Sequence, residues 1–291
     1  MPRRTDALQA GDPVARSNLV DRILTNDILI LAPHMDDETL ACGGIMLLHA
    51  DKRKVHCLFA TDGARSPAPP LPWMGQRDPA LAGIRRAEAL EVAARIGIPK
   101  ANLRFLDFPD GRLATKYREL SAAIGKTIDE LRPEFLLAPF RYDVHPDHTA
   151  LNRAVRVALR DQPSSPALLE YFVYHRLRWM PDGDVRRAID GSGLIRVDTA
   201  AVAAAKREAL HLYRSQTTIL YPWQNRPILT ADSLNRRCAE PEYFLPSDPS
   251  APGSDGLPAN GLGIRLACLA MRYGKPQKER AKALLQWAMQ R

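Results

Sequence analysis

Two short stretches of this 291-residue chain bring imidazole and carboxylate side chains close together: His34-Met35-Asp36-Asp37-Glu38 and His145-Pro146-Asp147-His148. Those donor types suit a hydrolytic zinc site, which needs three protein ligands, an open position for water and a base not tied to the metal. His34, Asp37 and His148 can supply the ligands, which leaves Asp36 as the free carboxylate that takes a proton from the activated water. His145 can ligate as well, or stand slightly off to stabilise a developing oxyanion. In protonated form it suits a general acid acting on a leaving amine. Asp147 can orient one of the two histidines by accepting from a ring nitrogen. Glu38 alone is explained by the helix macrodipole, which favours acids in a first turn. His49, His56, His175 and His211 stand apart from such clusters and read as structural.

Both clusters follow apolar runs of strand length, Ile28 to Ala32 and Phe135 to Ala138. Further runs at Val55 to Ala60, Leu103 to Leu106 and Tyr171 to Tyr174 alternate with helical patterns. Helices are expected from Glu38 or Thr39 to Ala50, over Ala80 to Ile96, over Lys116 to Leu131 and from Thr149 to about Leu159. The alternation predicts an α/β fold of Rossmann-like type, a mostly parallel sheet with helices on both faces. Ligand-type residues at strand ends then sit in the crevice where open α/β sheets hold their sites.

Two stretches break the pattern. Ser66 to Trp73 is rich in proline and reads as a rim loop, with Trp73 the aromatic best placed to meet a substrate. Pro246 to Gly261 reads as a flexible loop leading to helices at Leu262 to Arg272 and Gln277 to Met289. The expected organisation is an N-terminal extension (1–26), one α/β domain (27–245), the loop (246–261) and a helical segment (262–291) packed on the same domain.

The 41 basic and 33 acidic residues give a net charge of +8, dispersed along the chain, which favours anionic small partners. There is no basic stripe interleaved with aromatics, so nucleic acid is not an expected partner. Cys42, Cys57, Cys238 and Cys268 have no metal or redox spacing. No apolar run has the length of a signal core or membrane span, and a cytoplasmic protein is expected. Nothing in the pattern sets an oligomeric state.

At these residues the chain resembles the zinc-dependent N-acetylglucosamine deacetylases of the PIG-L and LmbE-like family. The resemblance is carried by Ala32 to Gly44 and His145 to His148. Thr61-Asp62-Gly63, Arg85 to Ala89, Phe108 to Gly111 and Lys206 through Gln216 extend it in family order. It implies zinc held by His34, Asp37 and His148, Asp36 as general base, and His145 as oxyanion stabiliser or acid. It also implies Arg85 and Asp110 facing the sugar of an amino-sugar glycoconjugate. Met35 departs from the proline usual at its place and predicts a less rigid ligand loop. Fe²⁺ or Co²⁺ could replace Zn²⁺ on these donors. The alternatives are a zinc amidase acting on another N-acyl conjugate and a catalytically silent carbohydrate-binding module.

Overall fold

The computed structural model describes residues 13–68, 77–160, 165–174, 184–188 and 193–249. Helix α1 (Pro13–Ile23) leads into β1 (Ile28–Ala32), α2 (Asp37–Leu48), β2 (Val55–Thr61), α3 (Pro79–Ile96), β3 (Leu103–Phe108), α4 (Tyr117–Leu131), β4 (Phe135–Pro139), α5 (Pro146–Arg160) and β5 (Ala167–Tyr171). After β5 come α6 (Val185–Ala188), β6 (Ile195–Val197), α7 (Ala203–His211), α8 (Arg214–Thr217), α9 (Ala231–Ala239) and β7 (Glu242–Ser247). The strands form one sheet in the order β3-β2-β1-β4-β5-β7-β6. β1 to β5 run parallel, and β7 is antiparallel to both β5 and β6.

Strands buried on both faces must be apolar at every position, and β1 is. Ile28 and Ile30 point to one core with Phe59, Cys42, Ile45 and Tyr213, whereas Leu29 and Leu31 point to the other with Ile124, Leu151 and Val155. The sheet therefore carries helices on both faces. Entry to α3 is fixed by Asp78, whose side chain accepts from the amides of Ala80 and Leu81, and its exit by Gly97 in the left-handed region. No described helix is long and apolar enough to cross a membrane.

The fifth strand lies earlier than its expected place, at Ala167–Tyr171. Glu170 interrupts the apolar run and masks it. This glutamate is buried because distant residues satisfy it: Arg141 Nε and Arg156 Nη2 donate at 3.0 Å, and Asn152 Nδ2 at 3.1 Å. The antiparallel edge formed by β6 and β7 is likewise absent from the sequence reading. Pro246 and Ser247, expected to open a flexible loop, pair with Leu169 and Leu168 as the end of β7. β6 reaches only Glu242 to Phe244, so the missing proline N–H leaves no ladder partner unmet on that side. The helices expected beyond residue 261 lie outside the described residues.

Burial pushes the Glu170 carboxyl up, but Arg141 and Arg156 outweigh it and hold its pKa below the ordinary value. A carboxylate whose folded pKa is depressed contributes stability in full above its unfolded value, near ~4.3, and loses it as pH falls through the folded value. Glu170→Gln should therefore destabilise the fold by about 3 kcal/mol at neutral pH. In urea titrations the difference from the parent should shrink on acidification; a gap independent of pH would contradict the assigned ion pairs.

Candidate active site and metal centre

Pairing of β1 with β4 sets their carboxyl ends side by side. His34 leaves the first strand and His145 the second, while Asp37 begins α2 and His148 lies in the first turn of α5. Asp37 Oδ2 lies 3.1 Å from His34 Nδ1 and 3.2 Å from His148 Nε2, so one oxygen links the two loops. His34, His145 and His148 bring ring nitrogens within 4.8 Å of one another, as do His34, Asp110 and Asp147 with their ligand atoms.

Asp36 has φ 146° and ψ −27°, a region costly for any residue with a side chain. Its own side chain does not cap α2. The Asp36 amide donates to Glu38 Oε2 at 3.1 Å, and Glu38 is itself held by Thr39 and Tyr213. Arg85 supplies the rest of the hold, donating to Asp36 Oδ1 at 3.0 Å and to the Met35 carbonyl at 2.6 Å.

The resemblance sets Arg85 against a sugar, but its side chain is 1% exposed and bound to the Asp36 turn. Met35 is buried, with its carbonyl fixed by that arginine, so the loop is held by hydrogen bonding where a proline ring would otherwise constrain it. Asp110 is also buried; its Oδ1 lies 3.4 Å from His34 Nε2, and its Oδ2 accepts from the Arg65 amide at 3.0 Å. Trp73 lies outside the described residues.

Asp147 orients neither His145 nor His148 with its carboxylate. Its Oδ2 accepts from the Gly111 amide at 2.7 Å and stands 3.4 Å from His34 Nε2, and its Oδ1 accepts from the Leu113 amide at 3.2 Å. Side chains in a helix lean toward its N-terminus, which aims a first-turn residue of α5 at the turn after β3. Gly111 adopts φ 77° there, and a Cβ on it would meet Arg65 Nη1 at 2.6 Å. Asp143 is the residue that faces His148, with Oδ2 3.3 Å from Nδ1, while its Oδ1 accepts from the His145 amide at 2.9 Å. Its sequence signal is an acid two positions before His145.

The family model for GlcNAc-PI de-N-acetylases, PIG-L, matches residues 29–159. A 2'-N-acetylparomamine deacetylase of Streptomyces fradiae is 30% identical over 220 residues, covering 68% of this chain and 76% of the relative. The chain belongs to the PIG-L family. A probable N-acetyl-alpha-D-glucosaminyl L-malate deacetylase 2 of Bacillus anthracis is 32% identical over 142 residues, 47% of this chain and 61% of that relative's length. The N,N'-diacetylchitobiose deacetylase structure from Pyrococcus horikoshii superposes with a TM-score of 0.55 at 20% identity, covering 79% of this chain and 88% of the other, and supports the fold.

In this PIG-L chain the charges divide sharply. Burial raises the Asp36 carboxyl to about 7; Arg85 pulls against that, and the Asp37 charge adds to it. Asp37 goes the other way: burial opposes ionisation, but His148 and His34 hold its pKa well down. Burial lowers His148, yet Asp37 and Asp143 outweigh it and lift the ring to about 10. His145 falls to about 3 through burial and the neighbouring His34 and His148. Its Nδ1 accepts from the Asp147 amide at 3.2 Å, which assigns the proton of the neutral ring to Nε2. Of the two roles expected for His145, oxyanion stabiliser or acid, a neutral ring suits the first.

Both ring nitrogens of His148 are buried without a well-formed hydrogen bond while carboxylates lie at ion-pair distance. This imidazole and carboxylate set fits a divalent cation of borderline softness. A ligand must shed its proton to bind a metal, and His148 holds one up to about pH 10. Metal affinity should thus rise with pH across the neutral range. Calorimetric zinc titrations in buffers of different ionisation enthalpy should show proton release at pH 7; heats independent of buffer would contradict the charged His148.

Proposed function

We propose that the protein is a metal-dependent hydrolase that removes the N-acetyl group from an N-acetylglucosamine-type amino sugar or glycoconjugate. His34, Asp37 and His148 would hold the ion, with Zn²⁺ the first choice and Fe²⁺ or Co²⁺ substitutes. When bound, such an ion supplies Lewis acidity, which acidifies a water and polarises an amide carbonyl.

The observation that carries the reading is Asp36. It is a buried carboxylate released from capping, fixed in a strained backbone by Glu38 and Arg85, and poised near 7. A general base works best with a pKa near the operating pH. Asp36 takes a proton from the attacking water and delivers it to the amine as the C–N bond breaks. His145 donates from Nε2 to the developing oxyanion, its ring held through Nδ1 by the Asp147 amide. Asp147 thus acts through its backbone on one histidine and through its carboxylate on another. The named activities of the relatives, all deacetylases of N-acetylated sugars, support this substrate class. A silent binding module has no use for a strained buried base, which weighs against that alternative.

Primary-amine release from a panel of N-acetylglucosamine conjugates, with N-propionyl and N-formyl analogues alongside, tests the reading. Zinc-loaded parent should release amine from N-acetyl members. Asp36→Asn should lose about 10²- to 10⁴-fold in kcat with zinc content unchanged. No turnover of any member by folded, zinc-loaded protein would sink it, and preference for another acyl group would redirect it to a related amidase.

A further inference from the structure

Most buried or half-buried cations near this site have a carboxylate of their own. Arg85 is on Asp36, Lys206 on Glu242 at 2.6 Å, and Arg186 on Asp184 and Glu240 at 2.7 Å. Arg237 of α9 is the exception. It makes no ion pair among the described residues, and its Nη2 donates to the Val173 carbonyl at 2.8 Å. That bond engages one of the guanidinium's several donors.

Its position is specific. The peptide whose carbonyl it holds donates its N–H, that of Tyr174, to Asp143 Oδ2 at 3.3 Å, and the same oxygen lies 3.3 Å from His148 Nδ1. One peptide unit and one carboxylate separate Arg237 from a candidate metal ligand. The Tyr174 ring lies 5.6 Å from that of His148 and 6.4 Å from that of His145, so the segment leaving β5 carries both a ring beside the histidines and the arginine's anchor. Arg237 also lines a cleft with Phe172, Arg186, Lys206, Glu240 and Glu242, in which the two glutamates match the other two cations. Burial pushes its pKa down, against the nearby carboxylates of Asp37, Asp36 and Asp143.

A half-buried guanidinium with no carboxylate at ion-pair distance suits a planar or tetrahedral anion, which it grips through paired N–H donors. Asp110 follows β3, on one side of the β1 and β4 pair, while Arg237 stands by the end of β5, on the other. We propose that Arg237 is a specificity-determining residue that recognises an anionic group, carboxylate or phosphate, on the part of the substrate lying on the β5 side of the centre. This rests on the amino-sugar hydrolase reading.

The test compares 4-carboxyphenyl and 4-carboxamidophenyl N-acetylglucosaminides as substrates of the zinc-loaded parent, Arg237→Gln and Arg237→Lys. The carboxylate glycoside should lose about tenfold in kcat/KM relative to the carboxamide on Arg237→Gln, mainly through KM, with partial recovery in Arg237→Lys. Calorimetric titration of the free-amine 4-carboxyphenyl glucosaminide should show the same loss of affinity without relying on turnover. Equal effects on both glycosides with an unchanged Kd would assign Arg237 a structural role through Val173 and overturn the proposal. Absence of hydrolysis in a parent that binds the 4-carboxyphenyl glucosaminide would count against the hydrolase reading alone, whereas a parent that does not bind it would overturn the Arg237 proposal as well.

Discussion

Parallel pairing of Ile28 with Phe135 and of Ile30 with Leu137 puts two strand ends side by side, and the segments that leave those ends carry His34, Asp37, His145 and His148. Because β2 lies on one side of this pair and β5 on the other, β1 and β4 flank the switch point of the sheet, where the crossing connections diverge and leave a crevice. Packing of apolar strands on both faces makes that register unforgiving. Slippage by one residue would exchange Ile28 and Ile30 with Leu29 and Leu31 between the two cores.

Around that constraint the site is an exercise in placing like charges together. Asp36, Asp37, Asp110, Asp143 and Asp147 are all buried near two histidines with raised pKa values. Such an assembly is tolerable because each carboxylate has a distinct partner: Arg85 for Asp36, the two imidazoles for Asp37, backbone amides for Asp110, Asp143 and Asp147. A divalent cation can exchange for the protons that the imidazoles hold, which leaves the local charge balance nearly the same. Asp36 differs from the others because its environment leaves its protonation evenly balanced near neutrality.

Much of this was legible in the sequence, for reasons that can be named. β1, β2 and β4 are uninterrupted apolar runs bounded by polar residues, and the ligands follow β1 and β4 at once in the chain. β5 lies earlier than the apolar pattern predicts because Glu170 looks like a surface residue until Arg141, Asn152 and Arg156 are brought to it by the fold. Arg85 and Asp36 are 49 residues apart, a contact that no local spacing reports. Asp147 is expected to orient His145 or His148, yet its carboxylate faces His34, because chain order says nothing of the direction a first-turn side chain takes. Glu38 suits the helix dipole by its place in the first turn, yet it also accepts the Asp36 amide and so helps to fix that turn.

The central claim is that His34, Asp37 and His148 bind one ion while His145 and Asp36 stand free beside it. X-ray absorption at the zinc edge on stoichiometrically loaded protein, parent beside His145→Ala, reads that arrangement directly. Two imidazole nitrogens and carboxylate oxygen at about 2.0 to 2.2 Å, identical in both proteins, are predicted. Loss of a nitrogen ligand in His145→Ala would contradict the account, since it would make His145 a ligand and remove it from the oxyanion.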